Sequence, residues 1–394
     1  MDDRLTIDAV KQAYANAGGE LDNEALYQAM GLDVETRQEK APVGRSGQKH
    51  NLHARKVRWF QQTLKKAKIL ERIPGQRGHW RMTPEAMGEE RTATPGIALV
   101  AFSTKLGVAI WASWKDVFPL LDEPIHCLIT SPPYPLAKPR NYGNPKIDEY
   151  TDFITEALEP IVKNLVPGGT ICLNVSADIF EPGLPARSLY RERLVLALCD
   201  RLGLYKLDEL VWASGSKPPG PIAWASKERM MLNVGWEPVY LFTNDPRASI
   251  ANNRRVLKPH TPRQQRLIER GGESRMVENS DGAYKVKPGS YGNQTLGAIP
   301  KNVLQFGHAC RSQQSVKASA RQRGLQTHGA PFPLALADFL VRYLTEPGQL
   351  VVDNMSGTIT VGEAAEINDR RWICTERIWD HIAAGAARFG HRLS

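Results

Sequence analysis

Apolar positions recur with one spacing in the first quarter of the chain and with another in the rest. Ile7, Val10, Tyr14 and Ala15 fall at helical spacing, and so do Leu26, Met30 and Leu32 behind Asn23, a candidate N-cap. Glu35 to Gln48 is polar and reads as loop. Leu52 to Leu70 predicts a long helix, with Val57, Phe60, Leu64 and Ala67 on one face and Lys56, Arg58, Lys65, Lys66 and Lys68 on the remainder. Glu71 to Thr83 reads as strand, glycine turn and strand. Ala86 to Ala98, with Pro95 and Gly96, reads as a linker.

Beyond residue 97 strands and helices alternate. Helical patterns cover Tyr150 to Leu165, Leu189 to Leu202, Leu334 to Tyr343, Gly362 to Asn368 and Trp379 to Phe389. Pro167-Gly168-Gly169 breaks the first, and Thr170 to Val175 follows as a strand. Further strands are predicted at Leu207 to Trp212, Val239 to Phe242 and Arg371 to Glu376. Two short apolar runs, Cys127-Leu128-Ile129 and Leu350-Val351-Val352, have the character of fully buried strands. The alternation predicts an α/β fold, a layered sheet with helices on both faces. Arg247 to Arg323 interrupts it: this stretch is polar, basic, glycine-dotted and low in apolar periodicity, and reads as irregular.

Length and composition narrow the picture. The 394 residues suffice for a large domain with an accessory one, here 1–90 and 97–394. No apolar run reaches 18 residues, so no membrane span is expected, and the polar Met1-Asp2-Asp3-Arg4 lacks a signal peptide's apolar core. Five widely spaced cysteines without a CxxC pair predict reduced thiols in a cytoplasmic protein, with neither disulfide framework nor zinc site. The nine histidines form no HExxH or comparable cluster, so no metal is expected, and no P-loop is present. The net charge of +9 is concentrated. Arg37 to Arg81 carries 13 Lys/Arg against 2 Asp/Glu, and Arg247 to Arg323 carries 15 against 4, so the remainder is net acidic. Two basic blocks beside a candidate catalytic core favour a polyanionic partner.

Both apolar runs end in polar turn residues, Thr130-Ser131-Pro132-Pro133-Tyr134 and Asp353-Asn354-Met355-Ser356-Gly357-Thr358. Open α/β sheets bind ligands at this edge. The first string suits an exocyclic amino group of a base. Such a nitrogen has its lone pair delocalised into the ring, and hydrogen-bond acceptors on its protons help it become nucleophilic. A serine hydroxyl and a proline carbonyl can both accept, prolines stiffen the loop, and an aromatic ring can stack on an extruded base. The second string, with Gly357, permits close backbone approach to a nucleotide-like cofactor.

Together these strings resemble the amino-methylating DNA methyltransferases, in the β-type order with the catalytic motif ahead of the cofactor motif. The resemblance covers roughly residues 97–392. It implies a Rossmann-like sheet, S-adenosyl-L-methionine as donor, and double-stranded DNA as substrate with the target base flipped out. Ser131 and the Pro132 carbonyl would contact the target amino group, Pro133 would rigidify the loop, and Tyr134 would stack. The family's cofactor pattern is Asp-Pro-Phe-x-Gly-Ser-Gly-Thr-Thr; Asp353, Gly357 and Thr360 match it, Thr358 replaces serine conservatively, and Asn354, Met355, Ile359 and Val361 depart. The implied cofactor set is Pro331, Phe332, Pro333, Asp353, Asn354, Met355, Ser356, Gly357, Thr358, Thr360 and Glu376, the last placed to bind ribose hydroxyls. Trp212 to Lys217 and Trp236 to Val239 resemble elements lining the base pocket, and 245–323 falls where the family recognises its target.

The basic helix and hairpin of residues 1–90 resemble a winged helix, with a docking module for protein as the alternative. Lys56, Arg58, Arg77, Lys138, Arg254, Arg255, Lys258, Arg263 and Arg266 are the candidate DNA contacts. His308 reads as structural or DNA-facing. Because the motif begins with serine, cytosine N4 is favoured over adenine N6. A restriction endonuclease is the partner such an enzyme implies. Rival readings are an RNA amino-methyltransferase and a DNA-binding protein with a degenerate core.

Overall fold

The computed structural model describes residues 5–32, 40–42, 49–67, 69–83, 86, 91–136, 144–215, 217, 219–279, 282, 284–308 and 310–393. α1 (Ile7–Asn16) starts at Thr6, whose hydroxyl accepts the Ala9 N–H. It buries Val10, Ala13 and Tyr14, while Ala15, expected on that face, is exposed. β1 (Glu20–Asp22) leads into α2 (Asn23–Ala29). The cap of α2 is Asp22, one residue earlier than expected, because its carboxylate is the group that reaches the Ala25 N–H, at 2.7 Å. β2 (Lys40–Pro42), inside the stretch expected to be loop, pairs antiparallel with β3 (Lys49–Asn51), which follows that stretch directly.

α3 (Leu52–Lys66) is capped by Asn51 and buries Ala54, Val57, Phe60 and Leu64. It stops short of Leu70. The Ile69 N–H closes on the Leu64 carbonyl, and Leu70 instead opens β4 (Leu70–Arg72). β5 (His79–Met82) pairs antiparallel with both β4 and β1, giving the sheet order β1-β5-β4. Gln61, 1 % exposed, donates to the Tyr14 hydroxyl and to Asn23 Oδ1, tying the three helices together.

The expected linker is docked at its described end. Ala93 N–H donates to the Arg377 carbonyl at 2.6 Å, Trp379 N–H to the Arg91 carbonyl, and the Arg91 guanidinium pairs with Asp380. Lys11, almost fully buried, stacks its ammonium over the Trp379 ring.

The rest of the described chain builds a nine-stranded sheet with its flanking helices and a separate two-stranded hairpin. Its elements, in chain order, begin with β6 (Leu99–Ser103), β7 (Gly107–Trp111), β8 (Ile125–Thr130), α4 (Tyr150–Lys163), β9 (Leu165–Asn174) and α5 (Tyr190–Leu202). β10 (Tyr205–Ala213), β11 (Trp236–Thr243), α6 (Pro262–Glu269), β12 (Val277–Asn279), β13 (Tyr284–Val286) and β14 (Val303–Gln305) follow. α7 (Arg311–Gln322), α8 (Leu334–Leu344), β15 (Leu350–Asp353), α9 (Thr360–Ile367), β16 (Arg371–Glu376) and α10 (Trp379–Gly385) complete it. The strand order is β14-β10-β11-β9-β8-β15-β16-β7-β6. β9, β8, β15, β16 and β7 run parallel, with antiparallel pairs at β9-β11, β11-β10 and β7-β6.

Alternation along the strands explains both cores. Cys127, Ile129 and Val351 face α8, α9 and α10, whereas Leu128, Leu350 and Val352 face α4 and α5. From β8 the chain continues to β9 on one side, and from β15 to β16 on the other. The strand order therefore reverses between β8 and β15, and a crevice opens over their C-terminal ends.

Two sequence expectations change here. β9 runs through Pro167-Gly168-Gly169 with a register shift against β8, in place of a break. The stretch Arg247 to Arg323 is structured: it holds α6, the β12-β13 hairpin, β14 on the sheet edge, and α7, which buries Gln313, Val316 and Ala320.

Candidate active site

Ser131 follows β8 directly, and its hydroxyl lies 3.1 Å from the Tyr134 hydroxyl and 3.2 Å from Asn174 Oδ1. Asn174 ends β9 at the same sheet edge and is buried. Its Nδ2 donates to the Pro238 carbonyl at 3.1 Å, which turns Oδ1 toward the two hydroxyls as an acceptor. Tyr134 reaches Asn174 Oδ1 at 2.8 Å and Glu237 Oε2 at 3.2 Å. Glu237 Oε1 in turn pairs with Lys217 Nζ at 2.9 Å, and both side chains are under 15 % exposed. Burial and the neighbouring Glu237 push the Tyr134 hydroxyl well above its ordinary value, so it stays neutral. The Tyr134 hydroxyl thus belongs to a polar network fed by three strands.

Ser131 also lines an open cleft. Ile129, His328, Pro331, Phe332, Asp353 and residues 355–358 form most of its walls, with Thr360 and Val361 behind. Pro331 and Phe332 are fixed through their carbonyls by Gln313 Nε2. Pro333 is buried and serves as the N-cap of α8, outside the lining.

The turn after β15 is held from behind. Ser356 Oγ donates to the Thr375 carbonyl, and Glu376 accepts the Gly357 N–H at 2.7 Å and the Ile378 N–H at 2.7 Å. Gly357 has φ +52°, and a Cβ there would sit 3.3 Å from His328. The Arg388 side chain, with no exposure, donates to the Thr358 carbonyl and to both threonine hydroxyls, and pairs with Glu363. Asp353 and Glu376 are nearly fully buried, and burial pushes each carboxyl up to about 7. Burial also lowers His381, beside Glu376, to about 4.

Besides Pro333, three further expected site residues face elsewhere. Asn354 sends its Nδ2 to the Ala157 carbonyl on α4, at 3.1 Å, and does not line the cleft. Glu376 spends Oε2 on the Gly357 N–H of the turn and Oε1 on the Ile378 N–H just after β16, supporting the turn from below. Arg255 donates to the Ile250 and Thr345 carbonyls and pairs with Glu346, as part of the packing under α8.

The remaining basic candidates differ in kind. Lys56, Arg58, Arg77, Arg254, Lys258, Arg263 and Arg266 are exposed, on α3, the β4-β5 turn, the segment before α6, and α6. Lys138 lies outside the described residues. His308 packs on the Trp212 ring with centroids 4.6 Å apart, and its Nδ1 lies 2.6 Å from Ser214 Oγ. Asn174, Gln313 and Arg388 were not singled out from sequence, whereas His328 heads the string His328 to Pro333 that resembles the family's cofactor-packing motif. The one available signal was Asn174, a polar residue closing an apolar run.

A family model described as DNA methylase, of the N6/N4 methyltransferases, matches residues 125–386. The chain belongs to this family. The family's model begins at β8 and ends just past α10, so it spans both strings and the switch between them. The chain is 32% identical over 270 residues to the Type II methyltransferase M.PvuII of Proteus hauseri, covering 68% of this chain and 79% of that one. It is similar to the solved structure of PvuII DNA methyltransferase (cytosine-N4-specific), with TM-score 0.59, 27% identity, and coverage of 74% of this chain and 88% of that one. Over 140 residues it is 26% identical to the Type II methyltransferase M.SfiI of Streptomyces fimbriatus, 32% of this chain and 33% of that one. Among the described residues no helix is long and apolar enough to cross a membrane.

Proposed function

We propose that this DNA methylase transfers a methyl group from S-adenosyl-L-methionine to the N4 amino group of a cytosine flipped out of duplex DNA. The observation that carries the reading is the joint placement of Ser131 and Asp353 in one cleft, at the C-terminal ends of adjacent parallel strands. The cleft fits the cofactor's mixed character. Phe332, Pro331 and Met355 offer apolar surface to a purine, the glycine turn permits close approach, and Asp353 places a carboxyl where cationic and hydroxyl groups need an acceptor. Bound there, the cofactor supplies an electrophilic methyl group.

The chain's own residues do the rest. The Ser131 hydroxyl and the Pro132 carbonyl accept hydrogen bonds from the amino protons, and the Tyr134 ring supports the base. Serine at the head of the motif and the cytosine-N4-specific relative favour cytosine over adenine. The exposed cations of α6 and of the stretch before it approach the phosphates.

Residues 1–90 act as a winged-helix DNA-binding domain attached to the catalytic domain 97–394. The order α1-β1-α2-β2-β3-α3-β4-β5, with the sheet β1-β5-β4, and the exposed basic face of α3 support this assignment. Relatives called Type II methyltransferases support a place beside a cognate restriction endonuclease, in a cytoplasm. The test is calorimetry with S-adenosyl-L-methionine, followed by competition between duplex DNA and RNA for labelled methyl. Micromolar cofactor binding and preference for duplex DNA are expected; no cofactor binding would leave a DNA-binding protein with an inert core.

A further inference from the structure

Methylation of an exocyclic amine leaves the nitrogen with one proton too many, and the amide of Asn174 cannot take it. Glu237 can. From Ser131 Oγ to the Tyr134 hydroxyl is 3.1 Å, either atom can donate, and from that hydroxyl to Glu237 Oε2 is 3.2 Å. Asn174 Oδ1 touches both hydroxyls, at 3.2 and 2.8 Å, and holds them in line. We infer that Ser131, Tyr134 and Glu237 form a proton relay that carries the departing amino proton from the methylated base to the Glu237 carboxylate. This rests on the methyltransferase reading of the same site.

The balance is simple. The base N–H bond breaks as an O–H bond forms at Ser131 Oγ; the serine proton passes to Tyr134, and the tyrosine proton to Glu237 Oε2. The nitrogen loses its positive charge and the carboxylate its negative one. Each hydroxyl ends as it began. Lys217, paired to the other oxygen of Glu237 at 2.9 Å, is the ionic partner of that carboxylate. The other groups that interact electrostatically with Glu237 are Tyr134, Tyr190 on α5, Asp178 after β9, and His308, which burial holds below its ordinary value. The relay makes Glu237 a positioning and proton-accepting residue that acts through Tyr134, with no contact to the base.

Glu237→Gln keeps the shape and removes the acceptor; Tyr134→Phe keeps the ring and removes the middle link. Single-turnover methyl transfer to duplex DNA is measured from pH 6 to 9, with the Kd of cofactor and DNA measured separately. Each variant is expected to be about 100-fold slower at pH 7.5, a typical acid–base contribution, with both Kd values within about twofold of wild type. Its rate should rise roughly tenfold per pH unit because hydroxide must now take the proton, whereas the wild type is flatter. The double variant should be no slower than either single one. A Glu237→Gln rate within about threefold of wild type, or a loss that keeps the wild-type pH slope, would overturn the relay. A loss confined to Kd would overturn it as well. A wild-type chain that transfers no methyl would instead overturn the reading on which the relay rests.

Discussion

Ile359 stands where the family has its second glycine, and replacing it with glycine is expected to weaken the protein. Its backbone is left-handed, φ +57° and ψ +35°, a conformation that costs a β-branched residue about 1–2 kcal/mol. Yet its side chain is fully buried. Two glycines receive it: a Cβ on Gly362 would stand 2.8 Å from Ile359 Cγ2, and one on Gly385 would stand 2.9 Å from Cγ1. The isoleucine fills space that these glycines leave. Truncating a buried isoleucine costs about 2–5 kcal/mol, more than the strain relieved, so Ile359→Gly should lose roughly 2 kcal/mol. Gly362→Ala should lose about 1–3 kcal/mol by overpacking against Ile359, Trp372 and Cys374. Combined, the two should lose less than their sum by at least about 1 kcal/mol, since the new methyl enters the vacated space. Urea unfolding of the four proteins measures this. A stabilised Ile359→Gly, or strictly additive losses, would refute the packing argument.

Arg388→Met should cost about 3–5 kcal/mol in the same assay, because it strands Glu363 beside a buried gap. It should also weaken cofactor binding by loosening Thr358 and Thr360; an unchanged Kd would count against that support. Asp353 and Glu376 stand at about 7 when folded, against ordinary values of 3.8 and 4.5. The folded chain therefore holds protons that the unfolded chain releases, and the stability these groups contribute is full at low pH and lost as pH rises through about 7. Asp353→Asn should accordingly gain on wild type between pH 5 and pH 8, by at most about 3 kcal/mol, and parallel stability curves would refute it. Neutralising Arg263 and Arg266 together should reduce the slope of log K against log salt by roughly 2 for DNA binding; an unchanged slope would remove α6 from the interface.

The two strings were legible because fully buried parallel strands are short continuous apolar runs, and Cys127 to Ile129 and Leu350 to Val352 end abruptly in turn residues. α3 was legible from its period, but its end was not: Ile69 and Leu70 are apolar whether they continue a helix or open a strand. β1 and β14, three residues each, carry too little pattern to read. Polar side chains were the harder case. Asn354 and Arg255 looked like ligand-binding groups, yet their partners are carbonyls 197 and 90 residues away. A sequence pattern shows that a polar group sits near a site; it does not show which way the group turns once distant backbone needs a donor. Arg388 is the converse, a surface-type residue buried because the turn it supports leaves oxygens that need donors.

The central claim is that Ser131 and its network direct a methyl group onto the exocyclic nitrogen of cytosine. The direct measurement is nucleoside mass spectrometry of mixed-sequence duplex DNA after incubation with labelled S-adenosyl-L-methionine, beside Ser131→Ala. Labelled N4-methylcytosine formed by the wild type and lost in the variant is the predicted result. Label in N6-methyladenine would contradict the assignment of the base, and no labelled nucleoside from a chain that binds both cofactor and DNA would contradict the account of the site.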